Sequence, residues 1–77
     1  MQLGDWYTSI QAYDLAIAQY RKALELDPVR PAAYARIARI ELKLGNAAYA
    51  EELMMRAHRI YPMGREYTLE KLYGERL

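Results

Sequence analysis

Apolar positions along most of the chain recur every three or four residues, the spacing of one helical face. From Asp14 to Leu26 the pattern is Leu15, Ala16, Tyr20, Ala23, Leu24 and Leu26, with Asp14 placed to cap the N-terminus and Pro28 placed to end the helix. A second helix is predicted from Pro31 to Leu44. Pro31 suits the first helical position, Tyr34, Ile37, Ala38, Glu41 and Leu42 form one stripe, and Gly45-Asn46 tolerates the left-handed geometry that follows a helix end. A third runs from about Ala47 to Ile60, with Ala50, Leu53, Met54, Ala57 and Ile60 inward, and Tyr61-Pro62-Met63-Gly64 closes it. Upstream, Leu3, Trp6, Tyr7 and Ile10 predict a short helix from about Gln2 to Gln11. Downstream, Leu69, Leu72 and Tyr73 predict another over 65–73, stopped by Gly74. No segment reads as a strand. The expectation is five helices joined by turns of a few residues, so that successive helices are antiparallel neighbours.

The chain also repeats itself. When it is slid along itself until Ala16 meets Ala50, Ala23 meets Ala57 and Pro28 meets Pro62, while Leu3 meets Ile37 and Tyr20 meets Met54. Identical small residues and matched large ones at one offset describe about two copies of a helix-turn-helix unit.

These units resemble the tetratricopeptide repeat, whose signature is W-x2-L-G-x2-Y, then A-x3-F, then A and P. Leu3-Gly4-Asp5-Trp6-Tyr7 corresponds to L-G-x2-Y, and Ala16 to Tyr20 corresponds to A-x3-F with Tyr for Phe. Ala23 and Pro28 complete the unit, and Ala-Leu-Glu-Leu-Asp-Pro over 23–28 looks like the family's usual ending. In the second unit Tyr34, Ile37 and Ala38 stand for W-x2-L-G, Glu41 replaces the Tyr, Met54 replaces the Phe, and Ala50, Ala57 and Pro62 agree. The resemblance implies one all-α domain over 1–77, a right-handed stack of antiparallel helix pairs forming a fragment of an α-solenoid. Residues 1–30 are then a truncated first repeat, 31–64 a second repeat, and 65–77 a capping helix. Three residues before Leu3 lies ahead of Met1, so the signature's leading Trp is missing and the first helix starts part-way through. An excised or engineered fragment of a longer array would look like this. Leu3, Trp6, Tyr7 and Ile10 are then expected to form an apolar edge on which a second chain pairs, giving a homo-oligomer.

Composition narrows the functional classes. Seventy-seven residues of 9.0 kDa allow one small core, and a chain this short is stable by only a few kcal/mol. With no Cys there is no disulfide, and with one His, His58, the ordinary Cys/His zinc site lacks ligands. Stability must come from packing or association, and no cofactor or metal is implied. Mean hydropathy is −0.34 and no apolar run approaches a membrane span. No secretory or transit signal is readable, which leaves the location open with the cytoplasm as default.

Net charge is +1, distributed as −2 over 1–28 (Asp5, Asp14, Glu25, Asp27 against Arg21, Lys22), +3 over 29–64, and zero over 65–77. So small an excess does not support nucleic-acid binding. Nor is there a nucleophile with a base beside it, a phosphate loop, or a carboxylate pair off the solvated helix faces, so catalysis is not expected. There remains the concave surface that such repeats line with the first helix of each pair. On it the resemblance places Asp5 and Ser9, then Arg36, Arg39 and Lys43, then Tyr73 on the last helix. Arg39 and Lys43, four apart, suit a carboxylate, so the expected partner is a protein or peptide with acidic groups. Asp5 stands where the family's clamp for chaperone C-termini has Asn, which argues against that ligand. His58 is expected to be plain surface, and Tyr13, Tyr49, Tyr61, Tyr67 and Tyr73 half-buried packing residues.

Overall fold

The computed structural model describes residues 8, 10–65 and 67–74. Among them are four helices and no strand: α1 (Tyr13–Leu26), α2 (Pro31–Lys43), α3 (Ala47–Ile60) and α4 (Leu69–Gly74). They pack as sequence neighbours, with the α2–α3 contact the most extensive and α3–α4 the least. Five helices were expected. The first of them, over 2–11, lies almost entirely outside the described residues; within them Thr8 is helical and Ile10 and Gln11 form a turn.

Local chemistry sets each boundary. Asp14 does not cap α1. Ala12 holds the cap position, its carbonyl accepting the Ala16 N–H at 3.0 Å, and Asp14 lies in the first turn, where a carboxylate favours the helix dipole. Gln11 precedes it at a φ of 63°, closing a turn with its N–H on the Thr8 carbonyl. α2 begins at Pro31 as predicted and ends at Lys43 in a Schellman motif. Gly45 takes a φ of 93° and donates to the Leu42 carbonyl at 3.1 Å, and Asn46 donates to the Glu41 carbonyl at 2.8 Å. The Asn46 side chain adds a bond to the buried Glu41 carboxylate at 3.2 Å. That bond explains why a carboxylate stands where the repeat signature has Tyr. Open space surrounds Gly45, so Gly45→Ala clashes with nothing and tests the left-handed backbone alone. A loss of about 1 kcal/mol in urea unfolding is expected.

The last helix is shorter than predicted. Thr68 accepts the Lys71 N–H on Oγ1 at 3.2 Å and so caps α4, which starts at Leu69 and not at residue 65. Ahead of it, Gly64 is buried between Tyr61 and Tyr67, whose rings meet edge to face with centroids 6.3 Å apart.

The core joins Ala16, Ile17 and Tyr20 of α1, Ala35, Ile37, Ala38, Ile40 and Leu42 of α2, Ala50, Leu53, Met54 and Ala57 of α3, Tyr67 ahead of α4, and Leu72 of α4. Two residues of the predicted α1 stripe are elsewhere: Leu15 is 53 % and Leu26 90 % exposed, while Ile17 is buried instead. At roughly 100° per residue, Leu15 and Leu26 share one line on the side of α1 opposite Tyr20 and Ile17. Period counting admitted them because their spacing is helical, but it belongs to a second, outer face.

Candidate functional site

α2 is buried on both flanks. Ala33 and Ile40 lie on one side, Ala35 and Leu42 on the other, and Ile37, Ala38 and Glu41 between them. Only one stripe of the helix, about 60° wide at roughly 100° per residue, is left toward solvent, and it carries Ala32, Arg36, Arg39 and Lys43. Leu42, which helical spacing puts in the inward stripe, and Ala35 lie off this face. These two are 4 % and 2 % exposed and belong to the core.

An aromatic ring of α1 borders the basic stripe. Lys43 is exposed, with its ammonium 6.0 Å from the centroid of the Tyr13 ring of α1, a cation–π arrangement that keeps the charge at the mouth of the α1–α2 seam. Arg36 and Arg39 are half-buried, and the Nε of Arg39 is itself shielded from solvent, so much of that side chain lies along the body of the protein. On the α3 side, Arg56 sits 5.7 Å over the ring of Tyr34, whose hydroxyl donates to the Pro28 carbonyl at 3.0 Å. The Arg56–Glu52 and Arg30–Asp27 pairs, at 3.9 and 3.8 Å, are exposed and add little stability.

Tyr73 is half-buried on α4 and donates its hydroxyl to Glu51 of α3. It stands one repeat length after Arg39, at the corresponding register position on the next first-type helix. The structure therefore brings Arg36, Arg39 and Lys43 onto one helix face and puts Tyr73 at the equivalent place on α4. Asp5 and Ser9 lie outside the described residues, as do Leu3, Trp6 and Tyr7 of the expected pairing edge. Ile10, the remaining member of that edge, is exposed in the turn before α1.

One feature was not found by sequence reasoning. A groove of about 290 Å³ opens between α3 and the start of α4, floored by Met54, Met55, Tyr67 and Leu69 and rimmed by His58 and Arg59. His58 is exposed, as expected, but it borders a concavity and not a plain surface. Among the described residues no cluster of His, Asp and Glu is fit to hold a metal ion, and no helix is long and apolar enough to cross a membrane.

A protein-family profile described as "TPR repeat" matches residues 4–50. The match takes in α1, α2 and the first turn of α3. No curated protein and no solved structure matches the chain.

Proposed function

The chain belongs to the TPR repeat family, matched over residues 4–50, and from that premise we propose that it holds an extended acidic segment of a partner protein against the basic stripe of α2. TPR repeats are protein-interaction modules, and the domain is typically non-catalytic. The fold that goes with this reading is a right-handed stack of two helix pairs, with residues 1–30 and 31–64 as the repeats and α4 as the cap.

The observation that carries the proposal is the burial pattern of α2. The helix is covered over most of its circumference, and the one stripe it turns outward is Arg36, Arg39 and Lys43. Guanidinium groups pair with carboxylates through two parallel bonds, and the more mobile Lys43 supplies a point charge one turn away. Tyr73 extends the face on α4 and offers an apolar ring to the next residues of the segment. Asp5 stands where a chaperone-tail clamp needs Asn, which argues against a chaperone C-terminus as the ligand.

Labelled Asp- and Glu-containing peptides, titrated by fluorescence anisotropy, test this reading. Arg39→Glu/Lys43→Glu is expected to weaken binding at least about tenfold, and added salt is expected to weaken the wild type toward the variant. Equal affinity of the two proteins at low salt would overturn the assignment.

A further inference from the structure

Three cations on one strip of helix are more than a single carboxylate can use. On α2, Arg39 has Arg36 three residues before it and Lys43 four residues after it. Both are its neighbours on the helix surface, with Cβ atoms about 5 to 6 Å away, whereas Arg36 and Lys43 stand roughly 10 Å apart along the axis. An anion over Arg39 is therefore the one placement within reach of all three long side chains. A carboxylate there has two oxygens in one plane and a single charge, and one guanidinium fork satisfies it. To engage the other two cations, further acids would have to crowd like charge onto the same short stretch of ligand.

The surroundings favour a compact, multiply charged anion. The Nε of Arg39 is shielded from solvent, so a ligand meets that guanidinium at its Nη end. The Lys43 ammonium stands 6.0 Å from the centroid of the Tyr13 ring, and both arginines are half-buried, so less side-chain freedom is lost when an anion arrives. The carboxylates of α2 and α3 each have another partner. Glu41 is buried and accepts the Asn46 side chain, Glu51 accepts the Tyr73 hydroxyl, and Glu52 pairs with Arg56 at 3.9 Å. An anion at Arg39 thus meets no uncommitted carboxylate from these two helices.

We infer that the α2 stripe is a phosphate site, and that the segment it holds presents a phosphorylated side chain over Arg39. This rests on the peptide reading of the same stripe and narrows its ligand. A phosphate monoester carries about 1.5 to 2 negative charges at neutral pH and three strong acceptor oxygens. It can take the Nη end of Arg39, the fork of Arg36 and the ammonium of Lys43 at once. Binding is then switched on by modification of the partner and is not fixed by the partner's acidic residues alone.

One labelled Asp-containing peptide, made with Ser, Glu or phosphoserine at its central position and titrated by fluorescence anisotropy against the full chain, tests the proposal. The phosphoserine peptide is expected to bind at least about tenfold tighter than the Glu peptide. Lowering the pH from about 7.5 to about 5.5 protonates the phosphate, and is expected to weaken that peptide severalfold while the Glu peptide changes little. Both peptides meet the same protein groups, His58 included, so the difference belongs to the phosphate. Arg36→Ala/Lys43→Ala leaves one guanidinium, enough for one carboxylate, and is expected to stay helical by circular dichroism and to bring the two peptides within about twofold of each other. Equal affinity of the Glu and phosphoserine peptides for the wild type, a phosphoserine advantage that ignores pH, or one that the double variant keeps would overturn the phosphate site and leave the acidic-segment reading standing. Binding of none of the three peptides would overturn both.

Discussion

Tyr20→Ala is expected to destabilise the protein by about 3 to 5 kcal/mol, enough to leave the chain largely unfolded without denaturant. Tyr20 is 1 % exposed and is among the largest fully buried side chains. It joins α1 to the core that α2 and α3 share. Truncation removes a ring from a close-packed interior and leaves a cavity that helices tied by short turns cannot close by sliding. The Tyr20 hydroxyl, 3.5 Å from Thr8 Oγ1, has a smaller part. Tyr20→Phe keeps the ring and should lose about 1 kcal/mol. Urea unfolding followed by far-UV circular dichroism separates the two: a large loss for Ala and a small one for Phe is the expected order. Equal losses would mean that hydroxyl bonding, and not packing, holds α1 in place.

Gly64→Ala comes next in size. A Cβ at residue 64 would lie 2.7 Å from ring carbons of both Tyr61 and Tyr67, closer than nonbonded carbon atoms approach. The rings are the sides of the passage through which the chain turns from α3 toward α4, so making room means spreading their edge-to-face contact. Overpacking of this kind costs about 1 to 3 kcal/mol. The damage should be local. Amide exchange in α4 should quicken severalfold or more while α2 and α3 are less affected, because the α4 contact is the smallest of the three and the loop that Gly64 serves leads only there. Uniform acceleration across all helices would show instead that α4 is part of the global cooperative unit.

Much of the architecture was legible from residue spacing, and the exceptions share a cause. The predicted bounds of α3, Ala47 to Ile60, are those of the structure, and its inward positions Ala50, Leu53, Met54 and Ala57 are buried as their spacing implies. Pro31 and Gly45 fixed the ends of α2 because their backbone constraints act locally. α2 itself obeys no single period: covered from two sides, it buries Ala33, Ala35 and Ile40 outside the stripe that spacing suggested. Leu15 and Leu26 were misplaced for the opposite reason, since nothing in their helical spacing distinguishes an outer apolar face from an inner one. The start of α4 depends on Thr68 bonding its own helix and on Gly64 passing between two rings, both invisible to period counting.

Among site residues, Arg36, Arg39 and Lys43 were readable together because helical geometry alone puts them side by side. The α3–α4 groove was not readable, since it exists only once α4 begins at Leu69 and leaves Met55 and His58 uncovered on α3. A usable signal was present all the same: in the register that pairs Ala23 with Ala57, half-buried Leu24 aligns with His58, a polar residue where the first repeat needs an apolar one.

The bond from Tyr73 to Glu51 makes ligand affinity a weighted quantity. Tyr73 reaches its place only in molecules whose six-residue α4 is docked on α3. A partner that touches only the α2 stripe finds every folded molecule competent, whereas one that also uses Tyr73 finds only the docked fraction, and its apparent dissociation constant is the intrinsic one divided by that fraction. Long and short ligands of the same charge would therefore respond differently to anything that frees α4, and the difference between them would report how often the end of the stack is closed.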